Sequence, residues 1–129
     1  MSGCNRSEMI DQGKREGAMA NQEHLDILNQ GVQAWNQWRK ESNIDVQLDL
    51  SNADLSGTDL AGIDFGLVIS DKYSARTNLT QTNIRRAKLH RANLEFANLE
   101  GADLSGADLF SANLSYARLN YAGLSGAKL

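Results

Sequence analysis

TNLTQ TNIRR AKLHR ANLEF ANLEG ADLSG ADLFS ANLSY ARLNY AGLSG AKL, residues 77–129, is one five-residue phrase repeated without a break. Its third place is Leu79, Ile84, Leu89, Leu94, Leu99, Leu104, Leu109, Leu114, Leu119, Leu124 and Leu129. Two places earlier stands Thr77 or Thr82, then Ala from Ala87 through Ala127. A shorter run in the same style comes before it, with Leu50, Leu55, Leu60 and Phe65 as its large apolar residues. An internal repeat of this kind decides the architecture before any local signal is weighed.

A period of five matches neither a helix nor a strand. Within one phrase the small residue and the Leu are two apart, so on an extended backbone they face the same way. Continued alternation would turn every second Leu outward. A two-residue corner after each Leu resets the phase, and the corners are polar or carry glycine, as at Ser56-Gly57, Glu100-Gly101, Ser105-Gly106 and Ser125-Gly126. Short sides joined by tight corners wind around one axis. Four sides take twenty residues per turn, and the narrow interior explains Ala at the second inward place. Successive coils then pair as parallel strands about 4.8 Å apart, so four coils stand about 20 Å tall. The chain has no proline, which suits sides that must each donate backbone N–H groups to a ladder.

The phrase A(D/N)LXX resembles the signature of the pentapeptide repeat proteins, and the resemblance covers residues 48–129. It implies a mainly β fold, a right-handed quadrilateral parallel β-helix of about four coils. Residues 44–129 form this unit, with an irregular stretch at 66–76. Phe65 and Leu79 are fourteen residues apart, one short of three repeats. A one-residue deletion would make Ile69 an inward residue, with residues 66–76 as a distorted corner or small excursion. The resemblance also implies a competing function, because some members of the family mimic duplex DNA and bind DNA gyrase. Those are longer, strongly negative rods, whereas this chain has a net charge of −3.

Residues 1–20 are a polar tail carrying Gly3, Gly13, Gly17 and the single cysteine, Cys4. One cysteine forms no internal disulfide. Met19-Ala20-Asn21 reads as a second translation start. Residues 21–43 form an amphipathic helix with Asn21 as N-cap. Leu25, Leu28, Val32, Trp35 and Trp38 make one stripe at spacings of three and four. Gly31 costs such a helix up to about 1 kcal/mol relative to Ala, so packing must help to hold it. A terminal coil exposes unpaired strands and leucines, and this helix is expected to cap it. The rival reading of the stripe is a docking site for another protein.

Charge is belted along the axis. Asp45, Asp49, Asp54, Asp59, Asp64 and Asp71 crowd the first coil, and residues 72–91 hold Lys72, Arg76, Arg85, Arg86, Lys88, His90 and Arg91 with no acid. The bland reading is mutual neutralisation of adjacent belts. The functional one is a partner surface at Arg85, Arg86, Lys88 and Arg91 for an acidic partner. Corners point in four directions, which argues against one nucleic-acid duplex meeting all these cations. No catalytic residue, cofactor site or metal site is expected: the serines are corner residues, and His24 and His90 lack the neighbours of a general base or metal ligand. The chain reads as a non-catalytic interaction or scaffold module with an unidentified protein partner. No apolar stretch has the length of a leader or membrane span, so a cytoplasmic protein is expected.

Two further expectations concern the corners and the last coil. Bulky residues at Arg86, Arg91, Phe96, Tyr116 and Tyr121 disfavour φ > 0, so these corners are expected to be type I and the glycine corners type II. The coil at residues 110–129 leaves its leucines and backbone groups open, and a weak end-to-end homodimer is expected there.

Overall fold

The computed structural model describes residues 20–41, 46–70 and 74–129. Parallel bridges run through the repeat at twenty-residue steps. Asn78 pairs with Asn98, Asn83 with Asp103, Lys88 with Asp108 and Asn93 with Asn113; Asn98, Asp103 and Asp108 then pair with Arg118, Gly123 and Lys128. The bridges recur every five residues along the chain, and this is a β-helix.

Hydrogen bonds explain why each position of the phrase holds the residue it does. The large inward residue donates its N–H to the coil above, as Leu79 does to Asn98 O at 2.8 Å and Leu89 to Asp108 O at 2.8 Å. The outward residue donates down, as Asn98 does to Thr77 O at 3.0 Å. Asn or Asp at the outward place also accepts from the N–H two residues on, at 3.0 Å from Asn78 to Thr80 and 3.0 Å from Asp103 to Ser105. This side-chain turn starts each corner and gives the phrase its D/N preference. The buried Thr77 and Thr82 satisfy their hydroxyls on Gly66 O at 2.9 Å and Leu79 O at 2.8 Å.

Corner chemistry departs from the expectation. Arg86, Arg91, Phe96, Tyr116 and Tyr121 all have positive φ, between 59° and 65°, as do Asn52, Gln81 and Ser111. Their corners share the form of the glycine corners, where φ is 68° at Gly57 and 71° at Gly106. The Leu carbonyl accepts from the N–H three residues on, 3.0 Å at Leu94 to Ala97. The corners stack as well: Arg86 N–H reaches Ser105 O and Phe96 N–H reaches Ser115 O, each at 2.9 Å. A left-handed residue costs about 1–2 kcal/mol. An orphaned ladder group costs about 1–3 kcal/mol, so the stack imposes one corner geometry whatever the side chain.

The first coil is joined to the second by a longer step. Asp49, Asp54, Asp59 and Asp64 pair with Asn78, Asn83, Lys88 and Asn93, twenty-nine residues on in each case. The nine surplus residues leave the coil as an excursion in which β1 (Val68–Ile69) and β2 (Ser74–Ala75) pair antiparallel. Ile69 is exposed there and Val68 is buried, so Ile69 is not an inward residue of the coil. A hairpin satisfies its own backbone, which a one-residue deletion in the coil would not.

The helical segment is also two elements, α1 (Gln22–Leu28) and α2 (Val32–Glu41). Asn21 accepts the N–H groups of Glu23 at 2.9 Å and His24 at 3.3 Å, as its reading as N-cap requires. Gly31 takes φ 110° and turns the chain between the helices rather than enduring inside one. Leu28 and Trp35 are buried, while Leu25, Val32 and Trp38 are partly buried against the same core. Residues 1–19, with the polar tail and Cys4, lie outside the described residues, as do Asp45, Asp71 and Lys72.

Inward rows form the core. Leu50, Leu55, Leu60, Phe65, Leu79, Ile84, Leu89, Leu94, Leu99, Leu104 and Leu109 are all buried. Burial weakens in the final coil: Leu114 and Leu119 are half-buried, and Leu124 and Leu129 are exposed.

Candidate interaction surface

Two regions of the surface have a geometry that the fold does not consume, one cationic and one at the lower rim of the first coil. The cationic set lies around one bridged segment of the second coil. Lys88 is the outward residue of that segment, and Arg86 and Arg91 are the left-handed corner residues before and after it. All three are exposed and make no ion pair among the described residues. Arg85, also exposed, is 3.6 Å from Asp103, a surface pair that contributes about 0–1 kcal/mol. Three of the four proposed partner residues thus share one side of the coil, and the fourth is partly neutralised. Arg76 is spent differently. It donates to Phe96 O at 2.7 Å and Tyr116 O at 2.9 Å, beneath two rings stacked with centroids 4.9 Å apart.

Above and below Lys88 the charge alternates. Asp59, Lys88, Asp108 and Lys128 are bridged in succession. His90 Nδ1 lies 3.7 Å from the Asp108 carboxylate and makes no hydrogen bond. Asp103 and Asp54 have their carboxyls held below the ordinary range, first by the hydroxyl and then by the N–H of Ser105 and Ser56 respectively.

At the lower rim, two of the four segments are closed by side chains from the helices. Asn21 N–H donates to Asp49 O at 2.8 Å, and Asp49 N–H donates to His24 Nδ1 at 3.1 Å. Asp64 N–H donates to Asn36 Oδ1 at 2.8 Å, while Trp35 Nε1 and Arg39 Nη1 donate to Asp64 O at 2.8 and 3.0 Å. Arg39 also donates to Gly66 O and Leu67 O, at 3.2 and 3.1 Å, and so holds the start of the excursion. Burial lowers its pKa, opposed by the nearby Asp64 carboxylate. The ring of Trp35 meets Phe65 and Trp38 edge-on, at 5.5 and 5.2 Å.

A model of pentapeptide repeats matches eight copies, at residues 48–68, 75–95 and 87–126. The chain belongs to the pentapeptide repeat family. The solved structures similar to this pentapeptide repeat protein include HetL from the cyanobacterium Nostoc sp. strain PCC 7120, a pentapeptide repeat protein involved in heterocyst differentiation regulation. It is 39% identical with a TM-score of 0.52, over 57% of this chain and 30% of HetL. A pentapeptide repeat protein of the Arabidopsis thaliana thylakoid lumen is 30% identical, TM-score 0.40, over 59% of this chain and 50% of its own. A second Nostoc pentapeptide repeat protein is 34% identical, TM-score 0.39, over 72% and 74%. Comparison with curated proteins gave no match. The pentapeptide repeat protein thus spans less than a third of HetL.

The helix side chains at the rim were missed by pattern reading. Asn36 and Arg39 are polar neighbours of the Trp35–Trp38 stripe, and their only sequence signal is that they flank it on the same helix. Among the described residues no group of three or more His, Cys, Asp or Glu is arranged to hold a metal ion. No helix among them is long and apolar enough to cross a membrane.

Proposed function

We propose that this protein is a non-catalytic interaction module. In this reading it is a right-handed quadrilateral β-helix whose α1–α2 hairpin caps the first coil and whose outward face at Arg86, Lys88 and Arg91 engages an acidic protein partner. The observation that carries the reading is the filled interior. Every inward Ala and Leu from Ala87 to Leu109 is at most 2% exposed, so these coils hold no internal cavity for a substrate. What remains for function is the patterned exterior. HetL, similar over part of this chain, is involved in regulating differentiation, and regulation through binding is the role proposed here. DNA mimicry would require a continuous anionic face, and Arg86, Lys88 and Arg91 interrupt one.

A homodimer through residues 110–129 belongs to the same proposal. The N–H groups of Leu114, Leu119 and Leu124 have no backbone partner among the described residues. The module is tested by capture of native partners with the wild type, with Arg86→Glu/Arg91→Glu and with a first-coil variant. Loss of a captured protein on charge reversal, with the thermal transition unchanged, supports the cationic face. Identical capture by the wild type and both variants refutes it.

A further inference from the structure

The first coil leaves two of its four segments without backbone partners among the described residues. In every coil above, the outward residue's N–H donates down and its C=O accepts from below. Asn83 donates to Ala53 O at 2.9 Å and accepts from Leu55 at 2.7 Å; Lys88 donates to Thr58 O at 2.9 Å and accepts from Leu60 at 2.8 Å. In the first coil the same groups of Asp49 and Asp64 are taken by α1 and α2. Those of Asp54 and Asp59 have no partner among the described residues.

Three further observations fall on the same side. Leu48 and Ile63, the inward residues next to Asp49 and Asp64, are fully buried, whereas Thr58, next to Asp59, is exposed. Among the described residues, none covers the rim at Thr58-Asp59 from below. A groove of about 420 Å³ lies there, with Asp59 and Ala61 on one wall and Gln30, Gly31, Val32 and Gln33 of the helix turn on the other. Finally, the column above Asp59 alternates in sign, Asp59–Lys88–Asp108–Lys128, so a cation is the complement on the side below Asp59.

We propose that the Asp54–Asp59 edge binds an extended segment of a partner protein that carries a lysine or arginine, adding it as one more strand beneath the first coil. Backbone bonds to the free N–H and C=O groups supply the pairing, and alternate side chains supply the choice. The cation faces Asp59, and the neighbouring apolar residue lies in the groove against Val32. Each segment of the coil is short, so the interaction is weak for one side and grows when the partner also turns the Ser56-Gly57 corner to reach Asp54. This edge is separate from the cationic face, and a failure of the experiment below leaves the capture result on that face untouched.

The test is a titration of the isotope-labelled full chain with the blocked peptide acetyl-Thr-Val-Lys-Val-Thr-amide, followed by amide resonances. The expected result is saturable shifts at Asp59 and its neighbours Thr58, Leu60 and Val32. Replacing the peptide's lysine by glutamate weakens binding, and N-methylating the peptide backbone abolishes it. Asp59→Asn, a surface change that preserves the fold, weakens binding about two- to fivefold, as an exposed ion pair should. Asp59→Lys reverses the preference toward the glutamate peptide. Absence of a saturable shift at the peptide's solubility limit overturns the proposal. So do equal shifts with the glutamate or N-methylated peptide, or shifts confined to Arg86, Lys88 and Arg91.

Discussion

Replacing Trp35 tests whether the helical hairpin holds the first coil. The ring is fully buried, donates its N–H to Asp64 O at 2.8 Å and sits edge-on to Phe65 and Trp38. Truncating a buried aromatic to alanine costs about 3–5 kcal/mol, and each lost ring pair adds about 0.5–1.5 kcal/mol beyond its area. Asp64 O keeps the Arg39 bond at 3.0 Å, so no orphaned carbonyl is added. Trp35→Ala is therefore expected to cost at least about 4 kcal/mol. Trp35→Phe, which keeps a ring but loses the N–H, should cost about 1–2 kcal/mol. Urea unfolding followed by both far-UV circular dichroism and Trp38 fluorescence measures it. Two probes are needed because coils of a solenoid interact with nearest neighbours and can part company. A loss below about 1 kcal/mol by both probes would show that the hairpin does not hold the coil.

The left-handed corners make an independent prediction. Tyr121 has φ 61° and is almost wholly exposed, so Tyr121→Gly should be neutral or stabilising by up to about 1 kcal/mol. Gly126 has φ 72°, and an added Cβ would meet nothing closer than 3.9 Å, so Gly126→Ala should cost about 1 kcal/mol in backbone strain alone; the reverse ranking of urea midpoints would contradict the stacked-corner argument. Ser105→Ala removes the hydroxyl that depresses the Asp103 pKa, so that pKa should rise in an NMR titration. A depressed carboxylate stabilises the fold above its unfolded pKa and loses this as pH falls through the folded value. The variant should therefore be less stable than wild type above about pH 4, with the difference closing in stronger acid. For the end-to-end dimer, sedimentation equilibrium of the 129-residue chain should depend on concentration and lose that dependence in Leu124→Lys. A monomer at all concentrations refutes it.

The parts of this fold readable from sequence were those set by side-chain burial. The inward rows follow from counting by five, because each coil repeats the same apolar demand. The parts not readable were set by the backbone. Arg86 and Tyr121 looked unsuited to φ > 0 as single residues, but their conformation is fixed by the corners stacked with them. Ile69 looked like a core residue because nothing local announces that the chain leaves the coil for β1–β2. Gly31 was weighed as a cost within one helix, although a φ of 110° makes it the turn between two. The candidate site was legible only as charge. Arg85, Arg86, Lys88 and Arg91 stood out as a cluster, but which of them the fold neutralises depends on Asp103, one coil away. The open rim at Asp54 and Asp59 had no sequence signal, because their phrases resemble those of Asp49 and Asp64.

That last resemblance has a physical consequence. Asp49, Asp54, Asp59 and Asp64 occupy equivalent places in the repeat, yet among the described residues Asp49 and Asp64 alone have their outer backbone groups taken, by His24, Asn21, Asn36, Trp35 and Arg39. Helices α1 and α2, of seven and ten residues, direct their polar side chains to two of the four segments and pass Asp59 with the turn at residues 30–33. A repeat imposes the same backbone demand on every side, and a non-repeating element meets it on some sides only. The inward residues respond to the difference at one segment, with Leu48 and Ile63 fully buried beside Asp49 and Asp64 and Thr58 exposed beside Asp59. The peptide binding proposed at this end of the solenoid therefore rests on mismatch between the repeat and what covers it. Filling the groove from the exposed helix turn with Gln33→Trp, opposite Asp59, should reduce peptide binding at that edge without disturbing the coils above, and unchanged binding would show that the open rim is not where the peptide sits.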